Sequence, residues 1–80
     1  MGIRATFAGN LRRMRAEKNI SQEELAHRAD LDRTYISSIE RQKYAASIDV
    51  VERLAKALGV APAVLFYLPK VARPVRRKTK

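Results

Sequence analysis

SQEELAHRADLDRTYISSIER, residues 21–41, packs a helix start, a break and a second helix start into one short run. Ser21 with Glu24 three positions on is a helix-starting pair: the Ser21 hydroxyl accepts from the Glu24 amide and the Glu24 carboxylate returns to the Ser21 amide. Glu23 and Glu24 also face the positive end of the helix dipole. The spacing predicts a helix from Gln22 to Ala29 with Leu25, Ala26 and Ala29 inward. Asp30 breaks it, Leu31 is an apolar plug, and Asp32 is a good N-cap for a further helix from Arg33 to Arg41. Two short helices joined by a three-residue turn cross steeply only if the residue at their closest approach is small. Ala26 stands at that point, and Ile36 and Ile39 complete the inward set.

Working outward, Ile3, Phe7, Leu11 and Met14 recur at spacings of four and three, one stripe of a helix from Arg4 to Lys18. Asn19 closes it, because Asn tolerates positive φ better than any residue but Gly. Downstream, Ser47 caps a fourth helix to Leu58, whose Val50, Val51, Leu54, Ala55 and Leu58 form a broad apolar face ended by Gly59. Pro62 suits the first turn of a short fifth helix reaching Leu68.

Eighty residues suffice for one domain and not two. With no Cys, neither a disulfide nor a thiolate metal site can support the small core, so helix packing must do so alone. The formal charge is +9 and unevenly spread. Residues 1–68 hold 11 Lys/Arg against 8 Asp/Glu, whereas residues 69–80 hold 6 basic and no acidic residues. This predicts a folded unit over 1–68 and a disordered basic tail over 69–80. Such a balance favours polyanions as partners, nucleic acid before membrane. No apolar stretch approaches the roughly 20 residues of a membrane span, and no secretory run opens the chain. A cytoplasmic protein with no membrane partner is expected. His27 stands alone on the second helix, and without a Ser-His-acid set, a ligand cluster or a Gly-rich phosphate loop nothing supports catalysis, a metal or a cofactor.

Small residue, turn, plug and β-branched residues on the second helix together make the helix-turn-helix pattern. Leu11 through Leu65 resembles the phage-repressor and Cro class of helix-turn-helix regulators, with Ser21-Gln22-Glu23-Glu24-Leu25-Ala26 and Ile36-Ser37-Ser38-Ile39-Glu40 as its signature stretches. Within that class, Leu31-Asp32-Arg33-Thr34-Tyr35-Ile36 followed by Ile39-Glu40-Arg41 is similar to the controller proteins of restriction-modification genes. The resemblance implies an all-α, compact five-helix, lambda-repressor-like DNA-binding domain, and a homodimeric regulator meeting double-stranded DNA and RNA polymerase. The class usually carries Gly where Asp30 and Gln42 stand. Gln42 has no easy access to positive φ, so the loop after the third helix is expected to differ in shape.

Turning the third helix by 100° per residue leaves Arg33, Thr34, Ser37, Ser38 and Arg41 outward, with Tyr35 on the flank. Arg33 can take guanine O6 and N7 in bidentate fashion, Thr34 and Ser38 can bond bases, and Tyr35 can read a base or a phosphate. Phosphate contacts are expected from Gln22, Ser37, Arg41, Lys43 and Ser47. Arg15 and Glu40 match a pair that forms a salt bridge in the resembling class. Val64, Leu65, Phe66, Tyr67 and Leu68 offer more apolar surface than one helix face can bury, which makes Val64, Phe66 and Tyr67 candidates for a two-fold interface. Two other readings stand beside this one: an adaptor that binds protein on the same scaffold, and sequence-blind nucleic-acid binding through the basic tail.

Overall fold

Residues 2–67 are described by the computed structural model, and they form four α-helices and a 3-10 turn: α1 (Ile3–Glu17), α2 (Gln22–Ala29), α3 (Arg33–Glu40), α4 (Ile48–Leu58) and the turn Pro62–Phe66. Leu68 and the basic tail expected over 69–80 lie outside the described residues. Three of the helices begin on the caps that the sequence predicts. Ser21 Oγ accepts from the Glu24 amide at 3.0 Å, Asp32 Oδ1 from the Thr34 amide at 3.0 Å, and Ser47 Oγ from the Val50 amide at 3.2 Å. Each satisfies a donor that the first turn would leave open. The reciprocal half of the Ser21–Glu24 pair gives way to a different bond. The Glu24 carboxylate turns along the helix to Arg28, one turn on, at 2.8 Å. That hydrogen bond, aided by the attraction of the two charges, holds the Glu24 carboxyl below its ordinary range.

All four helices end in the same way. The αL residues are Asn19 (φ 58), Asp30 (φ 58), Gln42 (φ 63) and Gly59 (φ 72). Each donates its amide to a carbonyl three residues back, and the next residue donates to one five back, as in Lys43 N to Ser38 O at 2.8 Å. This double bond set satisfies the orphan carbonyls of the last turn. It corrects the expectation for the loop after α3: Gln42 takes the conformation a glycine would take. The bonds of Gln42 and Lys43 to Ile39 and Ser38 over-determine the turn and outweigh the steric cost of a Cβ there, roughly 1–2 kcal/mol.

Packing follows the apolar spacing. α1 lies against α3 and the 3-10 turn, α2 against α3 and α4, and α4 against the turn. Leu11, Leu25, Ile36, Leu54 and Leu65 have no exposure, and Phe7, Met14, Ile20, Ala26, Ala29, Ile39 and the inward face of α4 close the core around them. Full burial of one such large aliphatic side chain is worth about 1.5–3 kcal/mol. Ile3 departs from the expected stripe and is 67% exposed, because the first turn of α1 runs past the edge of the core.

The expected fifth helix is also corrected, being a single 3-10 turn that gives way to extended backbone at Tyr67 (ψ 130). Asn10 supplies the reason. Its side chain is buried within α1, and its Nδ2 donates to the carbonyl oxygens of Leu65 at 2.9 Å and Tyr67 at 2.7 Å. Those carbonyls are the acceptors a continuing helix would use, and α1 occupies them instead. Leu65 alone enters the core; Val64 and Phe66 keep 36% and 39% of their surface exposed, and Tyr67 59%.

Candidate nucleic-acid interface

Ala26 is buried on α2, 3% exposed, and its carbonyl accepts from the Leu31 amide at 2.8 Å, which holds the turn tight. Ile36 and Ile39 therefore point into the core and the opposite side of α3 points out. Arg33 and Thr34 are exposed on the first turn of α3, and Arg41 is exposed just beyond its end. Ser37 and Ser38 are half-buried. Tyr35 is half-buried as well: one side of its ring packs on the core, and the ring meets Tyr44 edge to face, centroids 5.3 Å apart at 90°. Lys43 is exposed in the loop after α3. Ser47 is exposed at the start of α4, where its hydroxyl oxygen is used by the cap and its proton remains free to donate.

One predicted contact has an additional partner. Gln22 Nε2 donates to Glu40 Oε1 at 3.0 Å, so the start of α2 is tied to the end of α3. Arg15 makes a bidentate pair with the same carboxylate, Nε to Oε2 at 2.8 Å and Nη2 to Oε1 at 3.0 Å, and gives Nη1 to the Ile20 carbonyl at 3.0 Å. Arg12 Nη1 donates to the Glu40 carbonyl at 2.7 Å. With Glu40 only 3% exposed, this is a buried pair and not a surface one. The hydrogen bonds to Glu40, with the attraction of its charge, raise the Arg15 pKa above its ordinary value despite desolvation. Sequence reasoning found Arg15 and Glu40 but missed Arg12, Gln22 as a partner, and Asn10. A signal was present for Asn10, which falls on the same face as Phe7, Leu11 and Met14.

Elsewhere, Phe66 stacks obliquely on Phe7, centroids 5.2 Å apart. Two shallow hollows meet at Phe66, one of about 240 Å³ walled by Ile3, Phe7, Tyr44 and Val51, the other walled by Ile48, Val51 and Pro62. Ile48, 86% exposed, extends the apolar surface that Val64, Phe66 and Tyr67 begin. Among the described residues there is no cluster of His, Cys, Asp and Glu that could hold a metal, and no helix long and apolar enough to cross a membrane.

An exposed polar face on the second of two helices joined by a tight turn is the arrangement that enters a major groove. The helix-turn-helix family model matches residues 11–65, and the chain belongs to that family of DNA-binding transcription regulators. Within it, the chain is similar to control proteins of restriction-modification systems: it is 43% identical to control protein C.BamHI of Bacillus amyloliquefaciens over 77 residues, 95% of each chain. The structure of the controller protein C.Esp1396I, a tetramer in complex with its natural 35 base-pair operator, superposes with TM-score 0.76 at 36% identity, covering 82% of this chain and 87% of that one. A hypothetical transcription factor of Neisseria superposes with TM-score 0.83 at 42% identity, covering 89% of this chain and 82% of that one. In sequence, this chain spans 64% of the length of the relative from Neisseria meningitidis serogroup B.

Proposed function

We propose that this chain is a controller-type regulator that acts in the cytoplasm as a homodimer, each copy placing α3 in the major groove of one half of an approximately palindromic operator. The observation that carries this reading is the asymmetry of α3: its last residue, Glu40, is buried and tied to α1 and α2, while Arg33 and Thr34 on its first turn are exposed. Arg33, Thr34, Tyr35 and Ser38 read bases, and Gln22, Ser37, Arg41, Lys43 and Ser47 hold phosphates. The apolar surface of Val64, Phe66 and Tyr67, continued by Ile48, joins the two copies, which meet half-sites about 34 Å apart. That a similar controller protein assembles on its operator supports the oligomeric reading. Repression or activation then follows from where the operator lies relative to the site bound by RNA polymerase.

Selection of bound sequences from random DNA, repeated with Arg33→Ala, tests this. The expected result is a two-fold consensus that degrades at one base pair per half-site in the variant. A consensus without symmetry, or one that Arg33→Ala leaves unchanged, refutes it.

A further inference from the structure

Tyr44 lies in the loop after α3 and touches Tyr35, a residue on the outer half of that helix. The αL turn at Gln42, fastened by the Gln42 and Lys43 amides on Ile39 and Ser38, reverses the chain beyond α3. Two residues later the Tyr44 ring lies perpendicular to that of Tyr35, at 5.3 Å between centroids. Tyr44 is itself 58% exposed and also walls the hollow it shares with Ile3, Phe7 and Val51. Tyr35 has the core on one side and this ring as its neighbour in the loop. A tyrosine with one open flank samples more than one staggered χ1 well, and an edge-to-face partner selects among them.

We infer that Tyr44 is a positioning residue for DNA reading: its ring fixes the rotamer in which Tyr35 is presented to the operator. This rests on the proposed DNA interface and deepens it. The contribution lies in the ring, not the hydroxyl, because the two rings meet edge to face. Freezing one side chain before binding removes an ordering cost equivalent to about three- to tenfold in affinity per half-site.

Operator affinity and base preference, measured for the parent, Arg33→Ala, Tyr35→Ala, Tyr44→Phe, Tyr44→Ala and the Tyr35→Ala/Tyr44→Ala double variant, test the inference. Tyr44→Phe should behave as the parent. Tyr44→Ala should bind about three- to tenfold more weakly per half-site and relax preference at the same base pair that Tyr35→Ala relaxes. In the Tyr35→Ala background, Tyr44→Ala should change nothing further. A purely structural role would lower the melting temperature without moving preference at one base pair, and that result overturns the inference. So does a Tyr44→Phe loss equal to that of Tyr44→Ala, which assigns the effect to the hydroxyl. If Arg33→Ala loses affinity and Tyr44→Ala does not, only the role of Tyr44 falls; if neither loses affinity, the interface itself falls and the inference with it.

Discussion

Replacing Arg15 with Ala removes three hydrogen bonds at once, two to the Glu40 carboxylate and one to the Ile20 carbonyl. Glu40 then keeps a buried charge with Gln22 Nε2 as its remaining side-chain donor. Breaking a buried ion pair by removing one partner costs about 3–5 kcal/mol. The Arg15 side chain is 20% exposed, so water can enter the space it leaves, and with Gln22 retained the expected cost is about 2–3 kcal/mol. For a domain of this size, with roughly 4–12 kcal/mol of total stability, that is a large share. At about 4–8 °C per kcal/mol, the melting temperature should fall by roughly 10–20 °C. Arg13→Ala is the internal control: Arg13 lies 3.6 Å from Glu17, both side chains are well exposed, and with its bond to Asn10 the loss is about 1 kcal/mol. Thermal unfolding followed by circular dichroism decides between them. Because the damage comes from a stranded charge, Arg15→Ala should cost much less when Glu40 is also Gln. Equal melting temperatures for Arg15→Ala and Arg13→Ala, or no relief from Glu40→Gln, would show that no buried charge is stranded.

Gln42→Gly should raise the melting temperature by a few degrees, since relief of the αL penalty, roughly 1–2 kcal/mol, exceeds the added freedom of the unfolded chain, roughly 0.5–1 kcal/mol; a fall would show that the turn is not strained. Asn10→Ala strands two carbonyls and should destabilise by about 1–3 kcal/mol, with faster amide exchange at Val64–Tyr67 than in the rest of the core; protection unchanged there would contradict its anchoring role. If a dimer neutralises about eight phosphates, log affinity for operator should fall against log salt with a slope of roughly −7, and Lys43→Ala should reduce that slope without altering base preference. A slope near zero removes the phosphate contacts.

The helix starts were legible because their causes are local. Ser21, Asp32 and Ser47 each act within three residues of themselves, and the apolar spacing of α4 needs no partner to be recognised. With Ile36 and Ile39 inside, periodicity puts Arg33, Thr34 and Arg41 outward, as they are, whereas Ser37 and Ser38, expected outward too, are half-buried. Gln42 was misread because intrinsic preference opposes αL while the bonds that enforce it belong to the whole turn. The segment 62–67 was misread for a different reason. Pro62 to Tyr67 has helical composition, but its carbonyls are taken by Asn10, 55 and 57 residues earlier, and no local pattern carries a side-chain-to-backbone bond of that separation. Arg12 was hidden in the same way, its partner being the backbone oxygen of Glu40 and not a charge.

A helix gripped at its far end behaves as a cantilever. Four hydrogen bonds from the side chains of Arg12, Arg15 and Gln22 hold Glu40, and Arg33 sits at the other tip of an eight-residue helix about 12 Å long. A tilt of about 5° at the grip moves that tip by about 1 Å, twice the roughly 0.5 Å span over which an N–H···O bond stays good. Substitutions at the mounting in α1 can therefore retune which bases are read while every reading residue stays the same.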